Sequence, residues 1–398
     1  MIKRILVSLI GIIILATAGL YVSGNGFIIT AIERTYLVGN TTANIDDHQQ
    51  FDVQKIGTNQ PQELEKHLNY NKSPLPIAFE QDLKKYQTAA FVVINDGKVL
   101  SENYYDNYHS RSKTNSFSMA KTITTLLVGI AIDDGHIKSF DQDITDFLPE
   151  FSNDPLGKKA TLAHLSLMNS GYEWDENYYT PFSPTVELYH GSDVEDFLLD
   201  RPFSAEPGSF WEYSSASTQL LGIALLRALK KAGAADNLSE YLSEKIWQPL
   251  QMNDDALWHT DASGMELTYC CINTNARNFA KLGLLMLNKG NWNGQQIVSA
   301  DFIEKMIQAD GQPFYGYSTW LYHNQSPAYF SFNGHLGQYI IIVPEHDMVV
   351  VRLGRTRPAE QPDRRLIEIN RYVATALDLV KQSQASTPVS LPATTLAN

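Results

Sequence analysis

Three kinds of hydrophobic pattern follow one another along this chain, and each predicts a different kind of element. The first is continuous. Ile5 to Val22 runs 18 residues without a charge, just after Lys3 and Arg4. As a helix it would be about 27 Å long against roughly 30 Å of bilayer hydrocarbon, enough for one span with the basic end inside. Ala16-Thr17-Ala18 also fits a signal-peptidase site after a shorter apolar core. Residues 1–24 are therefore a membrane anchor or a cleaved signal. Either reading exports the remainder of the chain, into the periplasm or onto the outer face of the membrane.

The second pattern is strand-like. Ala89 to Ile94 and Val99 to Tyr104 flank Asn95-Asp96-Gly97-Lys98, which predicts a hairpin with a tight turn. Tyr339 to Val343 and Met348 to Leu353 predict another around Pro344-Glu345-His346-Asp347. Between the hairpins the period becomes helical. Met119 to Ile132, Ala160 to Met168, Val194 to Leu199, Thr218 to Lys231, Leu238 to Ile246 and Ala276 to Leu287 all carry it. Asn275 with Asn278 suits an N-cap, and Lys230-Lys231 before Gly233 suits a helix end. Arg364 to Lys381 predicts an amphipathic terminal helix.

Strands at both ends with helices between imply an antiparallel sheet flanked by helices, with an all-α part inserted. The α/β part would comprise about 76–117 and 306–381, and the all-α part about 118–305. Residues 25–75, polar and rich in Asn, Thr and Gln, read as a linker with irregular packing segments. Residues 382–398, rich in Ser, Thr, Pro and Ala, read as a disordered tail.

Composition narrows the chemistry. The chain has 398 residues, 43% hydrophobic and 19% charged, which suits a globular protein with a sizeable core. A net charge of −13 speaks against nucleic acid as a partner. No Cys-x-x-Cys, His-Glu-x-x-His or Gly-rich phosphate loop occurs, so neither metal nor cofactor is expected. The two cysteines, Cys270 and Cys271, are adjacent. Two reduced, packed thiols are the expectation, with a strained vicinal disulfide as the alternative.

Ser118-Met119-Ala120-Lys121 opens the long apolar run, and three-residue spacing puts both polar side chains on one helical face. A serine at a helix start sits among unpaired N–H groups and the positive end of the dipole, which suits an oxyanion. A lysine in an apolar wall is pushed toward its neutral form and can take the serine's proton. The bland reading is an N-cap serine with a snorkelling lysine. Ser110-Arg111-Ser112-Lys113 has the same spacing in a polar stretch with no helix behind it.

Two further motifs follow in order. Tyr213-Ser214-Ser215 comes just after Pro207-Gly208, and His335-Leu336-Gly337 stands immediately before the strand Tyr339 to Val343. Lys-x-Gly also occurs at Lys55, Lys231 and Lys281, but only His335 enters an expected strand. With these three motifs, the chain over roughly 75–380 resembles the serine β-lactamase and penicillin-binding-protein superfamily. The likeness is to its class C-like branch of esterases and amide hydrolases.

That resemblance implies a β-lactamase/transpeptidase-like fold, with Ser118 as the nucleophile and Lys121 and Tyr213 sharing proton transfer. Either of the two could be the base. A tyrosine near a cationic lysine is expected to have its phenolate favoured. The oxyanion hole would be the N–H groups of Ser118 and Gln338. No Ser-Asp-Asn, Lys-Thr-Gly or Gly-x-Ser-x-Gly is present, which disfavours the class A pattern and an α/β-hydrolase triad.

The departures bear on substrate. Where β-lactamases commonly hold a substrate carboxylate with a lysine and a hydroxyl, this chain has His335 and Leu336. Ser215 stands where an asparagine would bond a substrate amide. The stretch from Tyr172 to Ser183 is rich in aromatics and reads either as a packed surface loop or as a lid over the site. Its Glu-x-Tyr-x-x-Pro-x-Ser is similar to a stretch of nylon-oligomer (aminohexanoate-dimer) hydrolases, in which the tyrosine touches the scissile amide. Tyr178 is the matching position. The expectation is an exported serine hydrolase acting on a small ester or amide. The alternatives are a β-lactamase or D-Ala-D-Ala carboxypeptidase, and a non-catalytic member that binds peptide or muropeptide.

Overall fold

The computed structural model describes residues 1–359 and 367–385. Its strands are β1 (Asp52–Ile56), β2 (Thr88–Asn95), β3 (Lys98–Tyr104), β4 (Thr114–Asn115), β5 (Ala256–Thr260) and β6 (Ile272–Thr274). After a short hairpin, β7 (Asn291–Trp292) and β8 (Gln295–Gln296), come β9 (Trp320–Tyr322), β10 (Tyr329–Gly334), β11 (Gln338–Val343) and β12 (Met348–Gly354). Six of them form one antiparallel sheet in the order β3-β2-β12-β11-β10-β9.

Alternation along these strands feeds two cores. Val349 and Val351 join Ile340 and Ile342 on the face toward the helix Ala276–Leu287. Val350 and Ile341 pack on the other face, with Phe79 of the helix Ile77–Lys85 and Tyr372 of the terminal helix. A sheet covered on both faces needs continuous β-branched runs, and both expected hairpins have them.

The helical part matches the periodic segments, with trimmed ends. The helix Met119–Asp133 is buried along nearly its whole length, and Ser215–Ala232 packs against it. Asn275 caps Ala276–Leu287 by accepting the Asn278 N–H at 2.9 Å. Two expected helices are shorter: Leu162–Ser166, and Leu238–Leu242 followed by a wider turn through Trp247.

Other expectations need correction. The segment 118–305 is not all-α, because β5 and β6 lie within it, in a second sheet ordered β1-β5-β6-β4. Nor is 25–75 a loose linker. β1 pairs with β5 along its length, and Ile45 and Ile56 are fully buried. These strands are too short and too polar for periodicity to reveal. Cys270 and Cys271 are joined by a disulfide where reduced thiols were expected. The terminal helix runs Ile367–Ala385, so 382–385 are helical. The expected helix start at Arg364 and the tail beyond 385 lie outside the described residues.

At the N-terminus, α1 (Ile2–Val22) buries none of its residues and is long and apolar enough to cross a membrane, with a mean hydropathy of 2.6. After a short turn, α2 (Phe27–Arg34) folds back onto the helix Pro184–His190.

Candidate active site

The turn that delivers Ser118 is pinned before the helix begins. Ser116 exchanges main-chain and side-chain bonds with Ile272 of β6, at 2.9 and 3.0 Å. Asn115 Oδ1 accepts the Phe117 N–H at 2.8 Å. Phe117 is thereby held at φ 44°, a left-handed conformation that costs a bulky residue about 1–3 kcal/mol. The next residue, Ser118, starts the helix with no capping bond from its own side chain, so its hydroxyl is free for other work. Ser110 lies in a surface turn far from any helix start.

Lys121 does not snorkel. It is 1% exposed, and its amine reaches Ser118 Oγ, Ser215 Oγ and the Tyr269 carbonyl, each at 3.1 Å. Burial brings its pKa down to about 8, against an opposing pull from the Glu176 charge. When neutral, the amine can still donate to Ser215 and Tyr269 and turn its lone pair to Ser118. Ser214 caps the helix Ser215–Ala232 by accepting the Ser217 N–H at 3.1 Å, which places Tyr213 and Ser215 on either side of the cap.

Tyr213 stands over Lys121, whose amine is 4.9 Å from the ring centroid, and beside Trp320 at 5.8 Å. Burial raises its pKa above the usual phenol range, and Glu176 adds to the shift while a bond from Ser118 opposes it. Desolvation thus disfavours the expected phenolate, and the phenol is protonated at neutral pH.

The Tyr172–Ser183 stretch carries no helix and arches over this group. Glu176 is its anchor. Its carboxylate accepts from the Ser215 N–H at 2.8 Å, the Ser215 hydroxyl, the Tyr178 hydroxyl and the Trp174 indole at 2.6 Å. Tyr178 is held so that its ring stacks on His335, with centroids 5.3 Å apart. His335 also meets Phe117 edge-on. Burial and the nearby Arg357 charge bring the His335 pKa down to about 4, so the imidazole is neutral at pH 7.

The third motif stands immediately before a strand, β11, as expected. His335–Gly337 forms a tight turn between β10 and β11, with Leu336 and Gly337 both left-handed. Gly334, at the end of β10, lines the cleft together with Ser118. An added Cβ at Gly334 would lie 2.3 Å from the Ser116 carbonyl. Gln338 is fully buried and lines neither part of the cleft; its side chain bonds His335 O at 2.9 Å and Gly354 O at 2.7 Å. Gly337 faces away too, against the Arg352 guanidinium, which donates to the Leu336 and Gly337 carbonyls. The pair braces the turn from behind.

Two cavities meet at Ser118, Tyr178 and His335. One, of about 370 Å³, is lined by Glu176, Trp211, Tyr213, Trp320, Asn333, Gly334 and Arg357 among others. The other, of about 410 Å³, is mainly apolar and runs past Phe117, Pro181 and Val186 to Ile28 and Ile32 of α2. Among the described residues no group of three His, Cys, Asp or Glu side chains is placed to hold a metal ion.

A protein-family model described as beta-lactamase matches residues 77–374. The chain belongs to the β-lactamase family. The 6-aminohexanoate-dimer hydrolase of Paenarthrobacter ureafaciens is 26% identical to it over 240 residues, 57% of this chain and 59% of that relative. The chain thus matches less than two thirds of the length of that hydrolase. A solved family VIII carboxylesterase superposes with a TM-score of 0.58 at 17% identity, covering 77% of this chain and 95% of the other. A Bacillus anthracis protein provisionally named a 6-aminohexanoate-dimer hydrolase gives 0.66 at 22%, covering 86% and 94%. These likenesses show a β-lactamase/transpeptidase-like fold.

Within this β-lactamase-family cleft, the motifs leave out part of the site. Glu176 heads the Glu-x-Tyr-x-x-Pro-x-Ser stretch, and only the fold shows that its carboxylate ties the loop to Ser215. Arg357 reaches the cleft from beyond β12, 3.5 Å from Glu368, and brings a fixed positive charge that no motif signals. The Tyr269 carbonyl is a main-chain group and leaves no sequence trace.

Proposed function

We propose that the protein is a serine hydrolase that cleaves a small ester or amide through an acyl-enzyme on Ser118. The observation that carries this reading is the buried Lys121 amine, with its pKa drawn down to about 8 and bonded to the Ser118 hydroxyl. Neutral Lys121 takes the Ser118 proton as Oγ attacks the carbonyl. The resulting oxyanion is held by the Ser118 N–H at the helix start and by the N–H of His335, which replaces Gln338 because the main chain at Gly334–His335 borders the cleft. Tyr213, protonated and lining the lobe with Arg357, hands its proton to the leaving group as the Lys121 ammonium returns the serine's proton to it, so no free phenolate forms. Water then releases the acyl group by the reverse relay. Tyr178, poised by Glu176, closes the site above.

Arg357 favours a second reading, in which the leaving-group side holds a carboxylate, as a β-lactamase or D-Ala-D-Ala carboxypeptidase requires. Its pairing with Glu368 and the neutral His335 weigh against that. The test compares kcat/KM for a p-nitrophenyl acyl ester with that for a cephalosporin. Preference for the ester, lost in Ser118→Ala, supports the main reading. Efficient cephalosporin turnover that falls in Arg357→Ala promotes the second. We also propose that α1 serves as signal or anchor, with the catalytic part outside the cytoplasm.

A further inference from the structure

The larger, apolar cavity is not built by the β-lactamase-family region alone. One wall comes from the segment that precedes the family match: Ile28, Ala31, Ile32 and Thr35 of α2 and its end, and Thr42 and Ala43 beyond. This segment, read from the sequence as a linker with irregular packing segments, shapes a cavity that ends on Ser118. Its mouth is unusual as well. Tyr36 (62% exposed) and Tyr179 (77%) both line the cavity and reach solvent, and Leu37, Val38 and Phe182, next to or near them in sequence, are exposed as well. Large exposed apolar groups at a cavity mark a surface that meets something apolar.

Position says what. Only Ser23–Gly26 separate α2 from α1, whose 21 residues are all unburied and apolar enough to span a bilayer. The eight residues of α2 extend about 12 Å, so the mouth stands close to the membrane surface if α1 is inserted.

The chemistry of the nucleophile assigns the two lobes. The leaving group must collect a proton, and Tyr213 lines the smaller lobe and not the apolar one. The acyl part of a substrate on Ser118 therefore lies in the apolar lobe. We propose that this lobe is an acyl-chain subsite, and that the substrate class is an amphiphilic ester or amide drawn from the membrane surface. A volume of about 410 Å³, at ~30 Å³ for each water-sized group, fits a chain of about ten carbons with room to move. This deepens the serine-hydrolase reading and rests on it. In the reaction Ser118 Oγ bonds the acyl carbon, the C–O or C–N bond breaks, and the alcohol or amine leaves with the serine's proton. Water then gives the free fatty acid and restores the hydroxyl.

The test uses the full chain in phosphatidylcholine vesicles with p-nitrophenyl acetate and p-nitrophenyl decanoate, which share a leaving group. Each buried methylene can add roughly fourfold. The proposal expects kcat/KM for decanoate to exceed that for acetate by at least 100-fold. Ala31→Phe and Ile32→Phe, which fill the lobe from α2, should each cut that ratio at least tenfold while facing the same partitioned substrate. Ile32 is exposed, so its variant guards against a folding failure at Ala31. Turnover of acetate with a ratio near one, or a high ratio that neither variant lowers, overturns the subsite and leaves the hydrolase reading intact. If neither ester reacts and Ser118 takes no fluorophosphonate label, the hydrolase reading itself fails, and the subsite with it.

Discussion

Lys121 is taken out of water beside Ser118, and in the proposed mechanism its charge state sets the pH behaviour. The folded-state pKa of Lys121 lies below its ordinary value of 10.5, at about 8, so the active neutral form is lost as pH falls through about 8. The expected kcat/KM falls about tenfold per unit below that point and levels above it. A profile flat from pH 6 to 9 would rule Lys121 out as the base. Glu176 works against the lysine's depression. Removing its charge in Glu176→Gln should move the acid limb to lower pH, and an unmoved limb would show that the carboxylate is only a loop anchor. Lys121→Ala and Tyr213→Phe should each lose most activity, with a double variant little worse than either, because both serve one proton relay. Additive, modest losses would make one of them structural. His335, neutral down to about pH 4, contributes no titration in this range.

At the scale of elements, the site depends on how closely β10 approaches the start of the Met119–Asp133 helix. Gly334→Ala puts a methyl group against the Ser116 carbonyl, and the backbone must shift to admit it. Turnover should fall by about 10- to 100-fold in protein still folded at the assay temperature, with some loss of melting temperature from the clash, since a misplaced oxyanion donor costs that much. Unchanged kinetics would place the second donor elsewhere. The same strand shows where a motif reading stops. Ser118, Lys121 and Tyr213 are legible because three motifs in order resemble those of the superfamily, and the structure brings the three together with Ser215. His-x-Gly does stand just before a strand; what it does not reveal is the turn itself, with Leu336 left-handed, Arg352 bracing the carbonyls and the Gln338 side chain bonded to His335 O and Gly354 O. Left-handed residues other than Gly, Asn and Asp carry no composition signal. Glu176 and Arg357 reach the site through loops, whose paths have no periodicity to read.

Across the whole molecule, long apolar periods settled the main sheet and helices. The short polar strands β1, β4, β5 and β6, which hold the N-terminal segment against the body, did not show. That omission hid the wall that α2 gives the apolar lobe. Cell fractionation checks the placement of α1: the protein should sit in the membrane or exported fraction, and a purely cytosolic protein would contradict it. The claim on which the rest depends is the covalent step at Ser118. The full chain treated with a fluorophosphonate, digested and mapped by mass spectrometry should carry the adduct on the Ser118 peptide, and Ser118→Ala should carry none and lose about a millionfold in ester turnover. Label on the Ser110 peptide instead, or an unlabelled protein whose Ser118→Ala variant still turns over ester, would contradict it.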